Sequence, residues 1–422
     1  MRRTATYRLV ALTADSLARR VLPFVPVVAA VMLVGGLAFK APCLSMWHGQ
    51  QFSSGCYNDL QFLYDQRGIP QHIFPYVHGK LLNDSSGDSL VGGAFEYPVL
   101  TGVFAWFAGL FTQGPNDYLI VSAVLLAPFG LLAGWLLVRM TGWRALYLVA
   151  APAVVLYAYH NWDLLVVAAT VAAFYAWWRD RFVWAAILLG IGGCLKLYPA
   201  FFLAPLLLER LAAGDRRTAV RATLAGVGTV VLLNLPFALI NPAGWWAPYD
   251  FQRLRNADLT SDSIWIWGVP QLTRAELNAL TPILIAVAFT IALGVGWWRA
   301  RREGVYPFVQ VCGAMLLAFC VLGKVFSPQY ALWILPFFAL VRVRWGWWVA
   351  FVVADLVLYF GLFRWYYDFI YRHVDFGLAK QALVVGIWSR AAVVALLYVV
   401  FLGARSALLP SNAHSNPPAT VP

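Results

Sequence analysis

The chain is short of charge. Only 12% of its 422 residues are Asp, Glu, Lys or Arg, against roughly 25% in a soluble domain. That shortage excludes a water-facing surface over most of the molecule. Cysteine is scarce too: five residues without zinc-type spacing, which removes a disulfide-built scaffold and a Cys-type zinc site. There are six histidines but no HExxH, so no helix presents a zinc-hydrolase pair. No P-loop, no GxGxxG after a strand and no GxSxG is present, which leaves nucleotide-driven and serine-hydrolase chemistry without support. No cofactor and no metal ion is expected.

What fills the chain is apolar sequence, 61% of it. Runs of about 20 apolar residues recur from end to end, the pattern of membrane helices. The expected fold class is an all-α polytopic membrane protein. The net charge of +12 is read as the positive-inside bias of short cytoplasmic loops rather than as a nucleic-acid surface, because the arginines cluster between apolar runs.

Twelve spans are expected, at 21–39, 118–138, 145–159, 164–178, 182–195, 198–208, 222–240, 278–298, 306–323, 330–341, 345–363 and 381–403. The basic flank Arg2 to Arg20 sets the N-terminus in the cytoplasm. The run 21–39 lacks a small-residue cleavage site and is read as a retained helix. Counting 99–111 as a span would turn Arg139 and Arg144 outward, so it is read as a helix dipping into the outer face, ended by "TQGPND". The expected organisation is a cytoplasmic N-terminus at 1–20, one membrane domain at 21–403 with a first extracytoplasmic loop at 40–117, and a disordered cytoplasmic tail at 404–422.

This topology places all five lysines, Lys40, Lys80, Lys196, Lys324 and Lys380, on the outer face. Positive charge there runs against the topology rule and calls for another reason, such as an anionic ligand. Lys196 and Lys324 each close an apolar helix and precede a proline. Each alone reads as a snorkelling side chain; together, beside Asp- and Tyr-bearing turns, they suit a phosphate. Asp59 lies among Tyr57, Leu60, Phe62, Leu63 and Tyr64. A carboxylate in such surroundings has a raised pKa and makes a usable general base. Asp65, six residues on, falls on another helix face and is not read as its dyad partner. "HNWDL" sets His160 and Asp163 at the outer mouth of two spans, either bonded to each other or facing a ligand. The segment 241–277 mixes Arg253, Arg255, Asp258 and Asp262 with Trp265 and Trp267, a composition that suits headgroups, sugars or phosphates. Cys43 and Cys56 share the first outer loop, where a disulfide is chemically open to them.

The order of these pieces resembles the GT-C class of polyprenyl-phosphate-sugar-dependent glycosyltransferases. Within it the chain is most similar to glycosyltransferase family 87, which includes the bacterial phosphatidylinositol mannoside mannosyltransferase. The resemblance rests on "YNDLQFLYDQRG", "FEYPVLTG", "HNWDL", "LKLYPAFF", "DSIW" and "KVFSPQYALWILP". It implies a GT-C fold with a long first outer loop carrying membrane-surface helices. It implies Asp59 as catalytic base, a polyprenyl-phosphate-sugar donor, most often mannose, and transfer to an envelope lipid or glycan on the extracytoplasmic face of the plasma membrane. Lys196, Lys324, Arg253 and Arg255 are then expected on the donor phosphate, and Glu96, His160, Asp163, Asp262, Gln329 and Tyr330 on sugar or acceptor. The stretch "NDSSGDSL" at 83–90 departs from better-known members and leaves the acceptor open. The competing reading is a transporter or lipid flippase for an anionic substrate. It draws on Asp355 and Arg390 inside predicted spans, but no internal repeat supports it.

Overall fold

A computed structural model describes residues 23–45, 49–84 and 87–410. The expected cytoplasmic segment 1–20 and the polar tail from 411 onward lie outside the described residues.

The chain is predominantly helical, and its described residues form no large sheet. Six helical stretches are long and apolar enough to cross a membrane: Phe24–Leu44, Pro115–Val149, Arg216–Ile240, Arg274–Glu303, Trp345–Tyr371 and Leu378–Gly403. The protein is a multi-span membrane protein. Local chemistry explains where these helices begin and end. Asp215 caps Arg216–Ile240 by accepting from the Thr218 N–H. Thr273 and Glu276 close a capping box at the start of Arg274–Glu303, and Gly304 ends that helix at a left-handed φ of 76°.

Shorter apolar helices form the middle of the bundle. Phe308–Leu322 is buried almost throughout, and Ala331–Leu340 is buried at every position. A helix apolar on all faces has no polar side to turn outward, so it settles in the centre. Ten residues span only about 15 Å, half of the ~30 Å hydrocarbon layer. The long helices wrap this centre and leave side chains such as Val231, Leu232, Leu239 and Ile283 exposed, as an acyl-chain surround permits.

The structure departs from the expected spans in two places. Residues 145–159 are not one helix but the pieces Gly142–Ala145, Leu146–Val149 and Pro152–Tyr157. Residues 198–208 split at Phe202 into Tyr198–Phe201 and Leu203–Ala212. Pro152 and Pro199 stand at the first turns of the new pieces, where a missing N–H costs nothing. The apolar run 99–111 forms the helix Val99–Gly109, 11 residues long. The Cys43–Cys56 disulfide forms, with Cα atoms 5.6 Å apart.

One small sheet matters for the site. Lys80–Asp84 pairs antiparallel with Gly87–Val91 and packs on the helix Pro242–Leu254. Gly244 permits the approach, since a Cβ there would collide with the Tyr76 carbonyl.

Candidate active site

The residues from Gly55 to Asp59 are held from several directions. Cys56 is tied to Cys43 just past the first helix, Phe24–Lys40. The fully buried Lys40 ammonium donates to the Tyr57 carbonyl at 2.8 Å and to the Tyr359 hydroxyl at 3.3 Å. Tyr359 donates onward to the Gly55 carbonyl. Asn58 caps the helix Asp59–Gln66 by accepting from the Gln61 N–H, and the Asp59 N–H donates to the His160 carbonyl at 2.7 Å. Asp59 therefore starts its helix in a fixed orientation. Asp65 is exposed, away from this network.

Asp59 opens onto a cavity of about 680 Å³. Its Oδ1 accepts from Tyr57 at 3.2 Å and its Oδ2 from the Asn161 amide at 2.7 Å. Burial raises the Asp59 pKa above the ordinary carboxylate value; the Asn161 bond, the Lys196 charge and the Tyr57 bond pull it back.

Asn161 is the junction of the site. Its amide nitrogen also donates to Tyr97 Oη at 2.6 Å, while its oxygen accepts from the Trp162 N–H at 2.6 Å and from Lys196 Nζ at 3.2 Å. That set of partners admits one orientation of the amide. Lys196 lies 3.4 Å from Asp163 Oδ1 and 3.6 Å over the Tyr97 ring. Asp163, in the first turn of Asp163–Trp178, accepts from Trp333 Nε1 at 2.8 Å. Burial lowers the Lys196 pKa, and Asp163 and then Asp59 oppose the shift. His160 does not pair with Asp163. Its Nδ1 is buried without a hydrogen-bond partner, and burial, then Lys40, drives its pKa well below the ordinary value, so the ring is neutral.

Of the expected site residues, Asp59, Glu96, His160, Lys196, Arg255, Asp262, Gln329 and Tyr330 line the cavity. Glu96 is held by a two-pronged ion pair to Arg67, at 2.7 and 3.1 Å. Tyr330 stacks on Trp333 with ring centroids 3.7 Å apart. Three of the expected residues lie off the cavity wall. Asp163 does not reach the cavity; it lies behind Lys196 as its counter-charge. Arg253 turns away, largely exposed, and pairs with Asp250. Lys324 is not beside Lys196 in the cavity wall. Its ammonium binds the carbonyls of Gln252, Arg253 and Arg255 and the Asn278 side chain, at 2.6 to 3.1 Å. A cation that follows an apolar helix can serve loop carbonyls as well as a ligand, and spacing does not distinguish the two.

Sequence reasoning missed Asn161, Tyr97, Trp333 and the anchoring role of Lys40. Asn161 had a signal, being an amide between two ionisable residues at a helix break. The others had none, because each works through a partner far along the chain. Among the described residues, no three His, Cys, Asp or Glu side chains gather as metal ligands.

The model of glycosyltransferase family 87 matches residues 95–323. The chain belongs to glycosyltransferase family 87. No curated protein matches it. The matched stretch carries Glu96, His160, Asn161, Lys196, Arg255 and Asp262; Asp59 precedes it, and Gln329 and Tyr330 follow it. This member of family 87 is a membrane glycosyltransferase, and its polar cavity accordingly lies beside apolar helices. Asp355 and Arg390, the residues behind the transporter reading, are paired with each other at 3.6 Å and fully surrounded by protein.

Proposed function

We propose that the protein transfers a sugar, mannose by preference, from a polyprenyl-phosphate-sugar to an envelope lipid or glycan on the extracytoplasmic face of the plasma membrane, by a metal-independent, inverting mechanism. The observation that carries this reading is the Asp59 carboxylate: desolvated, held at both oxygens, and open to a cavity that also presents Lys196 and Arg255. Asp59 takes the proton of the acceptor hydroxyl as that oxygen forms its bond to C1 of the donor sugar. The C1–O bond to phosphate breaks on the opposite face, and its electron pair leaves with the polyprenyl phosphate. Arg255 and Lys196 stabilise that developing charge. Asn161 keeps the base and the cation in one hydrogen-bonded unit. Glu96, His160 and Tyr330 face the sugar or the acceptor. The twelve-span topology with both termini inside goes with this proposal, since it sets the cavity on the outer side.

The test uses protein in nanodiscs with labelled polyprenyl-phosphate-mannose and an envelope lipid extract. Wild type should give labelled glycan. Asp59→Asn should retain donor and lose on the order of 10³-fold in turnover. Equal product from the two would remove Asp59 as base. Silence of wild type with mannose and arabinose donors alike would overturn the donor class.

A further inference from the structure

The helix that starts at Asp59 borders the cavity over its full length. Asp59, Phe62, Leu63, Gln66 and Arg67 all line it. Those positions are i, i+3, i+4, i+7 and i+8, which is one face of an α-helix. From residue 59 to residue 67 the backbone rises about 12 Å at ~1.5 Å per residue. The cavity therefore runs as a groove away from the base. At residue 67 its wall is the Arg67–Glu96 ion pair. Asp88 and Ser89, on the strand Gly87–Val91, also line the cavity. Gln252, from the helix on which that hairpin packs, donates to the Glu96 carbonyl at 3.4 Å. Asn241 fixes the hairpin by donating to the Gly79 carbonyl at 2.8 Å.

The charges along this groove are paired with each other. Arg67 is committed to Glu96, and its Nη1 to the Gln66 carbonyl at 3.1 Å. Asp88 faces Arg274 at 3.7 Å. A phosphate needs a cation that is not already neutralised, and neither arginine offers one. Lys196 and Arg255 stand at the other end, where their charges act on Asp59. Between the ends, the wall offers Phe62, which is 43% exposed, and the exposed side chains of Gln66 and Ser89. An open aromatic ring beside an amide and a hydroxyl suits a sugar. The C–H bonds on a pyranose face rest on the negative face of the ring. The sugar hydroxyls both donate to and accept from the amide and the hydroxyl.

We infer that this groove is the acceptor subsite, and that it takes an uncharged saccharide of at least two sugar residues. The terminal residue stands at Asp59, and the next lies on Phe62 with its hydroxyls at Gln66 and Ser89. Length sets the minimum, because the groove is longer than one pyranose ring and a single sugar would leave its Arg67 end to water. Direction agrees with length. A hydroxyl that attacks C1 opposite the departing phosphate carries its own chain away from that phosphate, and this groove leads away from Lys196 and Arg255. The inference rests on the glycosyl transfer proposed above and adds to it the class of acceptor.

The experiment uses the same labelled donor and envelope lipid extract. The labelled product of wild type is isolated and its glycan sequenced by mass spectrometry, which needs no variant. The labelled sugar should stand on at least two others. Label attached directly to a lipid headgroup, or to a single sugar, overturns the groove. Phe62→Ala should raise the extract concentration needed for half-maximal rate by about tenfold and leave the donor KM within about twofold. Phe62→Trp keeps an aromatic ring and should stay near wild type. Gln66→Ala, at an exposed position further from the base, gives a second reading of the same split should Phe62→Ala fail to fold. A rise in donor KM instead, or no change in either quantity, overturns the groove alone. Failure of wild type to use any polyprenyl-phosphate-sugar overturns the proposed function and the groove with it.

Discussion

The two lysines that follow apolar helices are used differently. Lys196 belongs to a chain of contacts in which Asp59, Asn161, Lys196, Asp163 and Trp333 run from the first loop to the helix Ala331–Leu340. Lys324 instead binds the carbonyls of Gln252, Arg253 and Arg255 and the Asn278 side chain. A cation fixed beside carboxylates at a cavity is preorganised toward charge that develops there. A cation spent on backbone carbonyls holds a loop in shape. Two lysines alike in sequence setting thus become a cavity group and a loop anchor through their partners.

The largest expected effect breaks the Lys196 network. Lys196→Met leaves Asp163 buried without its counter-charge and should cost about 3–5 kcal/mol, read as a lower unfolding temperature in nanodiscs. Adding Asp163→Asn should restore most of that stability without restoring turnover. If Lys196→Met alone unfolds at the wild-type temperature, Lys196 and Asp163 are not a coupled pair.

A smaller effect sharpens the role of Asn161. Asp59 acts as a base only when deprotonated, so kcat should climb as pH rises through its pKa, which burial has lifted, and then level off. The Asn161 bond lowers that pKa. Asn161→Leu should therefore move the acid limb of the kcat profile to higher pH and reduce kcat at pH 7 by about tenfold. A limb that stays in place would mean that Asn161 does not act on the base. The smallest effect belongs to Lys324. Lys324→Met should cost about 1–3 kcal/mol through the carbonyls it leaves unmet, and should raise the donor KM a few-fold as Arg255 loosens. A variant with lost turnover and unchanged KM would place Lys324 with Lys196 among the cavity groups.

Much of the helix plan was legible. Apolar runs predicted the helices at 222–240, 278–298, 345–363 and 381–403 within several residues, because a side chain facing acyl tails has to be apolar whatever its neighbours are. The buried helix Ala331–Leu340 was read as a span because a segment apolar on all faces looks the same in a protein core and in lipid. Asp59 was legible for a local reason, a carboxylate among aromatics. Asp163 was legible as a carboxylate either paired with His160 or facing a ligand, but its partner Lys196 was not. Asn161 stood inside a motif without its role being visible.

The sequence by itself determined the membrane setting, most helix positions and the candidate base, since each depends on residue type and near neighbours. Tertiary structure alone decided that Asn161 joins Asp59 to Lys196, and that Lys324 serves a loop while Lys196 serves the cavity. Those outcomes depend on which polar atoms, up to hundreds of residues apart, come within about 3 Å once the helices pack, and the spacing of residues along a chain carries no record of that distance.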